Sequence, residues 1–103
     1  MSDPMRIRAQ AQGDKVTVRV LVSHEMESGQ RRDSGGKLVP AWFIQSIQAD
    51  CNGKTVMSAQ WGAAVSKNPF VQFVFKAAKA GDKVAVSWVD NHGDKRTDEA
   101  VIT

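Results

Sequence analysis

Cys51 is the single cysteine of the chain and its most chemically versatile side chain. A reactive thiolate needs a histidine, another cation or a helix N-terminus beside it. Lys54 is close in the sequence, but His24 and His92 are both distant. A thiol without a chemical role is therefore the first interpretation of Cys51. A nucleophile, a sulfur carrier and an intermolecular disulfide are the alternatives.

The two histidines have acidic neighbours that could suggest a metal site. His24 precedes Glu25, and His92 lies between Asp90 and Asp94. Zinc needs three or four converging ligands. The run from 90 to 94 resembles a calcium loop only loosely, because its glycine is misplaced for an EF-hand and the distal glutamate is missing. We expect a polar hairpin turn there, with no metal and no cofactor.

Ser23, His24 and Asp33 are the ingredients of a catalytic triad. However, the chain has no Gly-x-Ser-x-Gly motif, which exposes the nucleophile in one large class of hydrolases. The sequence therefore favours a chain without catalysis of its own. A small basic cluster on a glycine-containing segment, Arg31, Arg32 and Lys37, could meet a phosphate, although a protein contact or a solvated loop is the more common role.

Length and composition limit the class of protein. The 103 residues form one domain, 1–103, with 42% apolar and 24% charged residues, which is ordinary globular usage. No apolar run approaches the ~20 residues that span a bilayer. The net charge of +3 falls short of the clustered patch of a nucleic-acid binder. Residues 1–8 have neither the apolar segment nor the cleavage site of a signal peptide, so we expect a cytoplasmic protein, a mature chain or a chain exported with a signal-bearing partner.

Alternation of apolar and polar residues with a period of two dominates the chain, which indicates β-strands. Asn52-Gly53 predicts a type I′ hairpin turn, because that turn needs positive φ at both central residues. A single helical turn is possible at 77–80. We predict an all-β, immunoglobulin-like antiparallel β-sandwich of about seven strands. The predicted strands cover residues 5–12, 15–22, 41–50, 54–61, 70–76, 83–90 and 95–102, the last at an edge.

Two segments stand out from this regular pattern. The stretch from His24 to Val39 is a long polar loop, and loops of this length are usually functional or mobile. In the next predicted strand, Phe43 and Ile47 would share one face and Trp42 and Ile44 the other. Bulk on both faces is typical of a central or an interface strand.

Several blocks, in order along nearly the whole chain, closely resemble the SoxZ family. They include Asp3-Pro4-Met5-Arg6-Ile7-Arg8, Val20-Leu21-Val22-Ser23-His24-Glu25-Met26-Glu27-Ser28-Gly29-Gln30-Arg31, Pro40-Ala41-Trp42-Phe43-Ile44, Ala59-Gln60-Trp61-Gly62, Lys67-Asn68-Pro69-Phe70, Ala77-Ala78-Lys79-Ala80-Gly81-Asp82 and Trp88-Val89-Asp90-Asn91-His92-Gly93-Asp94-Lys95-Arg96-Thr97-Asp98-Glu99-Ala100. The departures are small: the family pattern leads us to expect proline at Ala63 and glycine at Ala78.

The resemblance implies a periplasmic heterodimer, or a higher oligomer, with SoxY in thiosulfate oxidation. In that system a cysteine in the glycine-flanked C-terminal arm of SoxY carries the sulfur intermediates. SoxY also carries the export signal for both chains. The loaded arm visits SoxAX, SoxB and SoxCD, so this chain would contact those proteins transiently. The implied role is a non-catalytic scaffold and docking subunit, with no nucleic-acid or membrane partner.

A swinging arm needs a cysteine near a terminus between flexible glycines. Cys51 lies mid-chain at a predicted tight corner, which agrees with this division of labour. We predict two sets of functional residues. The partner-binding aromatic residues are Trp42, Phe43, Trp61 and Phe70, and the enzyme-docking loop comprises His24, Glu25, Met26, Arg31 and Arg32.

Two other classes of protein fit parts of the pattern. A stand-alone β-sandwich adhesin or chaperone-like module would be a stable monomer. A binder of single-stranded nucleic acid would need exposed aromatic residues interleaved with basic ones on one face. In this chain the basic residues lie mostly opposite the apolar rows.

Overall fold

The computed structural model describes residues 3–76 and 78–103, which form seven strands. The predicted helical turn begins at Ala77, outside the described residues, and Lys79 to Asp82 form a hydrogen-bonded turn. No helix in the described part of the chain is long and apolar enough to cross a membrane. The strands are β1 (Arg6–Gln12), β2 (Lys15–Leu21), β3 (Ile44–Cys51), β4 (Lys54–Gln60), β5 (Phe70–Lys76), β6 (Lys83–Asp90) and β7 (Lys95–Val101).

The strands form two antiparallel sheets, with the orders β1-β2-β5 and β4-β3-β6-β7. This arrangement confirms the predicted all-β sandwich, and its strand order is that of immunoglobulin-like folds. The fourth strand of the chain joins the second sheet, so β2 is the only strand neighbour of β5 among the described residues.

The core lies between the sheets, and its pattern follows from the pleat. Alternate residues of a strand face opposite sides, so Val16, Val18 and Val20 of β2 are fully buried, as are Val84 and Val86 of β6. Burying an aliphatic side chain contributes about 1.5–3 kcal/mol. The alternation seen in the sequence therefore identifies the residues that hold the sheets together.

The predicted turn at Asn52-Gly53 is confirmed, since both residues have positive φ, 53° and 78°. The third strand differs from its prediction. It begins at Ile44 rather than at residue 41, and its register with β6 shifts between Ile44 and Ser46. The extra residue of this bulge places Ile44 and Ile47 on the same buried face, because a one-residue shift reverses the alternation.

Candidate functional site

The end of β6 carries a buried carboxylate that gathers four hydrogen bonds. Asp90 is 1% exposed. Its Oδ2 accepts hydrogen bonds from His24 Nε2 at 3.0 Å and from Trp42 Nε1 at 2.8 Å. Its Oδ1 accepts the backbone N–H groups of His92 and Asp94, each at 2.9 Å. One side chain thereby joins three segments that are far apart in the sequence.

These hydrogen bonds determine the ionisation of Asp90. Burial by itself would raise its pKa, because the charged form loses its hydration. The donors from His24, Trp42, Asp94 and His92 outweigh burial and hold the pKa of Asp90 below its ordinary value of 3.8. Asp90 is therefore an anion at neutral pH, and its charge strengthens the hydrogen bonds that it accepts.

His24 is fully occupied by its neighbours. Its Nδ1 accepts the backbone N–H of Met26 at 3.1 Å, which makes Nε2 the donor to Asp90. Its own backbone N–H donates to Asn68 Oδ1, and its carbonyl accepts the Asn68 N–H. No ring nitrogen is left to take a proton from Ser23 or to bind a metal. His24 pairs with Asp90, and Asp33 belongs to a separate turn, so the structure does not assemble the triad.

Aromatic rings surround this pair. The His24 ring makes T-shaped contacts with the rings of Trp42 and Trp88, with centroid distances of 5.0 and 5.1 Å. Trp42 also stacks on His92 at 5.3 Å with an interplanar angle of 5°. Trp88 is 1% exposed, and its indole Nε1 has no hydrogen-bond partner within the described residues. An unpaired buried donor is unusual and costly.

A cleft of about 320 Å³ opens beside the buried pair. Both acidic and basic side chains line it, and Trp88 forms part of its wall. No group of three or more histidine, cysteine, aspartate or glutamate residues that could hold a metal ion occurs in 3–76 or 78–103. The lining residues are Asp3, Ser23, His24, Glu25, Trp42, Lys67, Asn68, Trp88 and Asp94.

The predicted long loop is a two-stranded arm, defined here as residues 27–42. Glu27 pairs with Trp42 at its base, and Arg32 pairs with Leu38 near its tip. Gly29 has a φ of 85°, and a Cβ at this position would lie 3.1 Å from the Ala41 Cβ. Glycine therefore lets the two strands approach closely. Residues 30–38 are all exposed, and the molecule measures 53 × 21 × 20 Å, consistent with a projecting arm.

The arm is fixed at its base. Trp42 donates to Asp90, while the Asn91 side chain accepts the Phe43 N–H and donates to the Ala41 carbonyl, at 2.8 and 2.9 Å. Since these contacts come from the β6–β7 turn, the run from 90 to 94 is the hairpin turn expected from the sequence, with the added role of holding the arm.

Some of the predicted docking residues are buried next to the base of the arm, and the others are exposed. His24 and Met26 are buried, while Glu25 is exposed and pairs with Lys67 at 3.2 Å. Arg31 is exposed and binds Glu27 at 2.9 Å. The hydrogen bond and charge of Glu27 raise the pKa of Arg31. Arg32 donates to the Gly36 carbonyl at 2.8 Å.

The four predicted partner-binding aromatic residues differ in their exposure. Trp42 is half-buried in the cluster around Asp90, and Phe43 and Trp61 pack partly against the core. The backbone N–H of Trp61 donates to the Gln45 carbonyl, and this hydrogen bond holds Trp61 beside the start of β3. Phe70, at the start of β5, is 59% exposed. Phe70 is therefore the member of the set that offers most of its ring to a partner.

Cys51 ends β3 and is buried. It pairs with Lys54 on one side and with Val84 on the other, so a strand lies on each flank. Burial, and secondarily the charge of Asp82, raise the pKa of the Cys51 thiol above its ordinary 9.0. Both effects reduce the thiolate fraction, which is the nucleophilic form.

Sequence reasoning missed the residues that organise this region. Asp90, Asn68, Asn91 and Trp88 were not selected as functional residues. In β6 every second residue faces the core, namely Val84, Val86 and Trp88, and Asp90 continues this alternation. That spacing was the one signal in the sequence that the Asp90 side chain points inward.

The fold and the arm define a class: an all-β sandwich of immunoglobulin-like topology whose buried polar cluster holds a projecting arm. The comparison with family models matches residues 5–101 to the family described as "Sulphur oxidation protein SoxZ". The chain therefore belongs to the SoxZ family, which confirms the resemblance found in the sequence, and it has a role in the sulfur oxidation system. No curated protein matches it.

Solved structures share the fold at low identity. A hypothetical protein, PH1083 from Pyrococcus horikoshii OT3, aligns at 20% identity over 98% of this chain and 88% of its own, with a TM-score of 0.65. A superoxide reductase (neelaredoxin) from Ignicoccus hospitalis aligns at 15% identity over 99% and 80%, with a TM-score of 0.65. The reduced form of one from Archaeoglobus fulgidus aligns at 20% over 97% and 87%, with a TM-score of 0.58. At these identities the likeness concerns the fold alone.

Proposed function

We propose that this chain is the non-catalytic scaffold and docking subunit of a periplasmic sulfur carrier in thiosulfate oxidation. It pairs with SoxY as a heterodimer or a higher oligomer, and it is exported with that signal-bearing partner. The C-terminal cysteine of SoxY carries the sulfur intermediates, and SoxAX, SoxB and SoxCD are transient partners. Membership of the SoxZ family supports this assignment.

The state of Cys51 is the observation that carries the division of labour. A thiol that shuttles between enzymes must be exposed, mobile and able to ionise. Cys51 is buried in a strand paired on both sides, and its thiol pKa is raised. These properties support placing the sulfur-accepting cysteine on another chain.

We expect the change Cys51→Ala to leave sulfur loading of the complex unchanged and to cost about 1 kcal/mol of unfolding free energy, since it removes one buried heavy atom. Intact-mass spectrometry of the co-purified pair, after incubation with thiosulfate and the oxidising enzymes, should find the adduct on SoxY alone. The matched control replaces the terminal SoxY cysteine, which should abolish the adduct. An adduct on Cys51, or a failure to co-purify with SoxY, would contradict the proposed function.

The exposed arm is the proposed contact for the visiting enzymes. Reversing both charges in Arg31→Glu/Arg32→Glu should reduce kcat/KM of the SoxYZ pair with its enzymes by about tenfold, because charges at the rim of a contact act mainly on the association rate. Steady-state turnover at two salt concentrations measures the effect. Lys83→Glu/Lys95→Glu, on exposed positions of the β6–β7 sheet, is the control for net charge. Equal turnover of the two double variants would exclude the arm as a docking surface.

A further inference from the structure

The outer face of the three-stranded sheet concentrates positive charge. Paired residues across a sheet face the same side, so the registers of β1, β2 and β5 place twelve outward positions in four rows. Five of the twelve are lysine or arginine, and none is acidic. The rows are Arg6–Leu21–Phe70, Arg8–Arg19–Gln72, Gln10–Thr17–Val74 and Gln12–Lys15–Lys76. We call this surface the basic face.

Two rows of the basic face oppose like charges. Arg8 lies across from Arg19, and Lys15 lies across from Lys76. Like charges directly opposite on a sheet are destabilising. In the described part of the chain no carboxylate forms an ion pair with any of the five cations of this face. An anionic partner would remove this repulsion.

The basic face ends at an unprotected strand edge. β5 has the sequence FVQFVFK, and its outward Phe70 and Val74 are 59% and 55% exposed. Alternate residues of an edge strand point their N–H and C=O groups away from the sheet, where they can pair with another strand. Proteins usually block such edges with charges, bulges or covering segments.

The other three edges of the sandwich carry those protections. Backbone N–H and C=O groups of β1, at Ala11 and Ala9, pair with Thr103. β4 has a register irregularity with β3 between Ala49 and Asp50, and β7 carries four charged residues among its seven, KRTDEAV. The contrast singles out β5 as the edge that is suited to receive a strand.

We propose that the β5 edge receives an extended strand of the constitutive partner subunit, which lengthens the three-stranded sheet, and that an acidic surface of the same subunit covers the basic face. This inference rests on the proposed function, because it assigns a surface to that partner. A permanent partner fits better than a transient one, since an apolar edge left open promotes aggregation. A second copy of this chain would double the cations on one continuous face, whereas an acidic partner surface neutralises them.

The test uses SoxY co-expressed with this chain and two pairs of matched variants. Arg8→Glu/Arg19→Glu should weaken the complex with SoxY by about tenfold or more and reduce its salt dependence. Lys83→Glu/Lys95→Glu, with the same change in charge on the other sheet, should bind as the wild type does. Val74→Asp should also weaken the complex at least tenfold. Val101→Asp alters a valine of similar exposure, 51%, on the β7 edge and should have little effect.

Hydrogen exchange supplies the readout for strand addition. Amide protons of residues 70–76 that point away from β2 should become protected when SoxY binds. If the wild-type pair forms but the β5 amides stay unprotected, or if test and control variants bind alike, the inference is wrong and the proposed function stands. If wild-type protein does not bind SoxY, both fail. Dimerisation of this chain through β5, or tighter binding of a single-stranded oligonucleotide than of SoxY, would also overturn the inference.

Discussion

Replacing Asp90 with asparagine should lower the unfolding free energy by about 3–5 kcal/mol, because it removes a buried charge and leaves buried donors without an acceptor, at about 1–3 kcal/mol or more each. Four donors converge on its two oxygens. An asparagine amide offers one oxygen and one NH2 group. Whichever way the amide turns, two donors would face another donor. Urea denaturation measures the loss, and at 4–8 °C per kcal/mol the melting temperature should fall by at least about 12 °C.

The matched control is Asp94→Asn. Asp94 lies in the same turn, and its carboxylate accepts a single hydrogen bond, from the exposed backbone of Lys95. This change should stay within about 0.5 kcal/mol of wild type. Equal losses at positions 90 and 94 would show that the four-donor arrangement does not stabilise the fold.

The pH dependence should identify the carboxylate responsible. The folded pKa of Asp90 is held below its unfolded value of 3.8, so its contribution is present above that value and is lost as the pH falls through the folded pKa. The gap between wild type and Asp90→Asn should therefore be full at pH 7 and shrink below about pH 4. The pKa of Asp98 is also lowered, and Asp98 is unchanged in Asp90→Asn. The stability of that variant should therefore still fall in acid, although less than the stability of the wild type.

Trp88→Ala should remove about 3–5 kcal/mol of stability, the usual cost of truncating a large buried aromatic side chain. Trp88→Phe should cost much less, about 1 kcal/mol. Phenylalanine keeps a ring against His24, and it deletes an indole N–H that has no partner in the described residues and is costly to bury. Chemical denaturation of both variants at neutral pH measures the difference. Equal losses would mean that the indole N–H has an acceptor, such as a water molecule in the adjoining cleft.

The Asp90 and Trp88 predictions concern one structural unit, the cluster that joins the arm to the sandwich. Asp90→Asn should also increase hydrogen exchange at the base of the arm, where Glu27 and Trp42 pair, because the cluster that holds Trp42 loses two of its hydrogen bonds. The sandwich and the arm are coupled through Asp90 and through the side chain of Asn91. An arm held in this way has less conformational entropy to lose when it binds a partner.

The sequence by itself determined the strands, the Asn52-Gly53 turn and the all-β class. These features depend on local alternation and turn chemistry, which a folded chain rarely contradicts over seven consistent segments. It also assigned the family, through blocks that the family match over residues 5–101 confirms.

Only the tertiary structure decided what holds the arm and which edge is open. His24 and Asp90 are 66 residues apart, and no local pattern signals a hydrogen bond across that distance. The bulge in β3 places Ile44 and Ile47 on one buried face, although the alternation predicted opposite faces, because one extra residue shifts the pattern on one side of the bulge. The basic face exists because strand registers bring β1, β2 and β5 side by side, and a register is set by pairing in three dimensions.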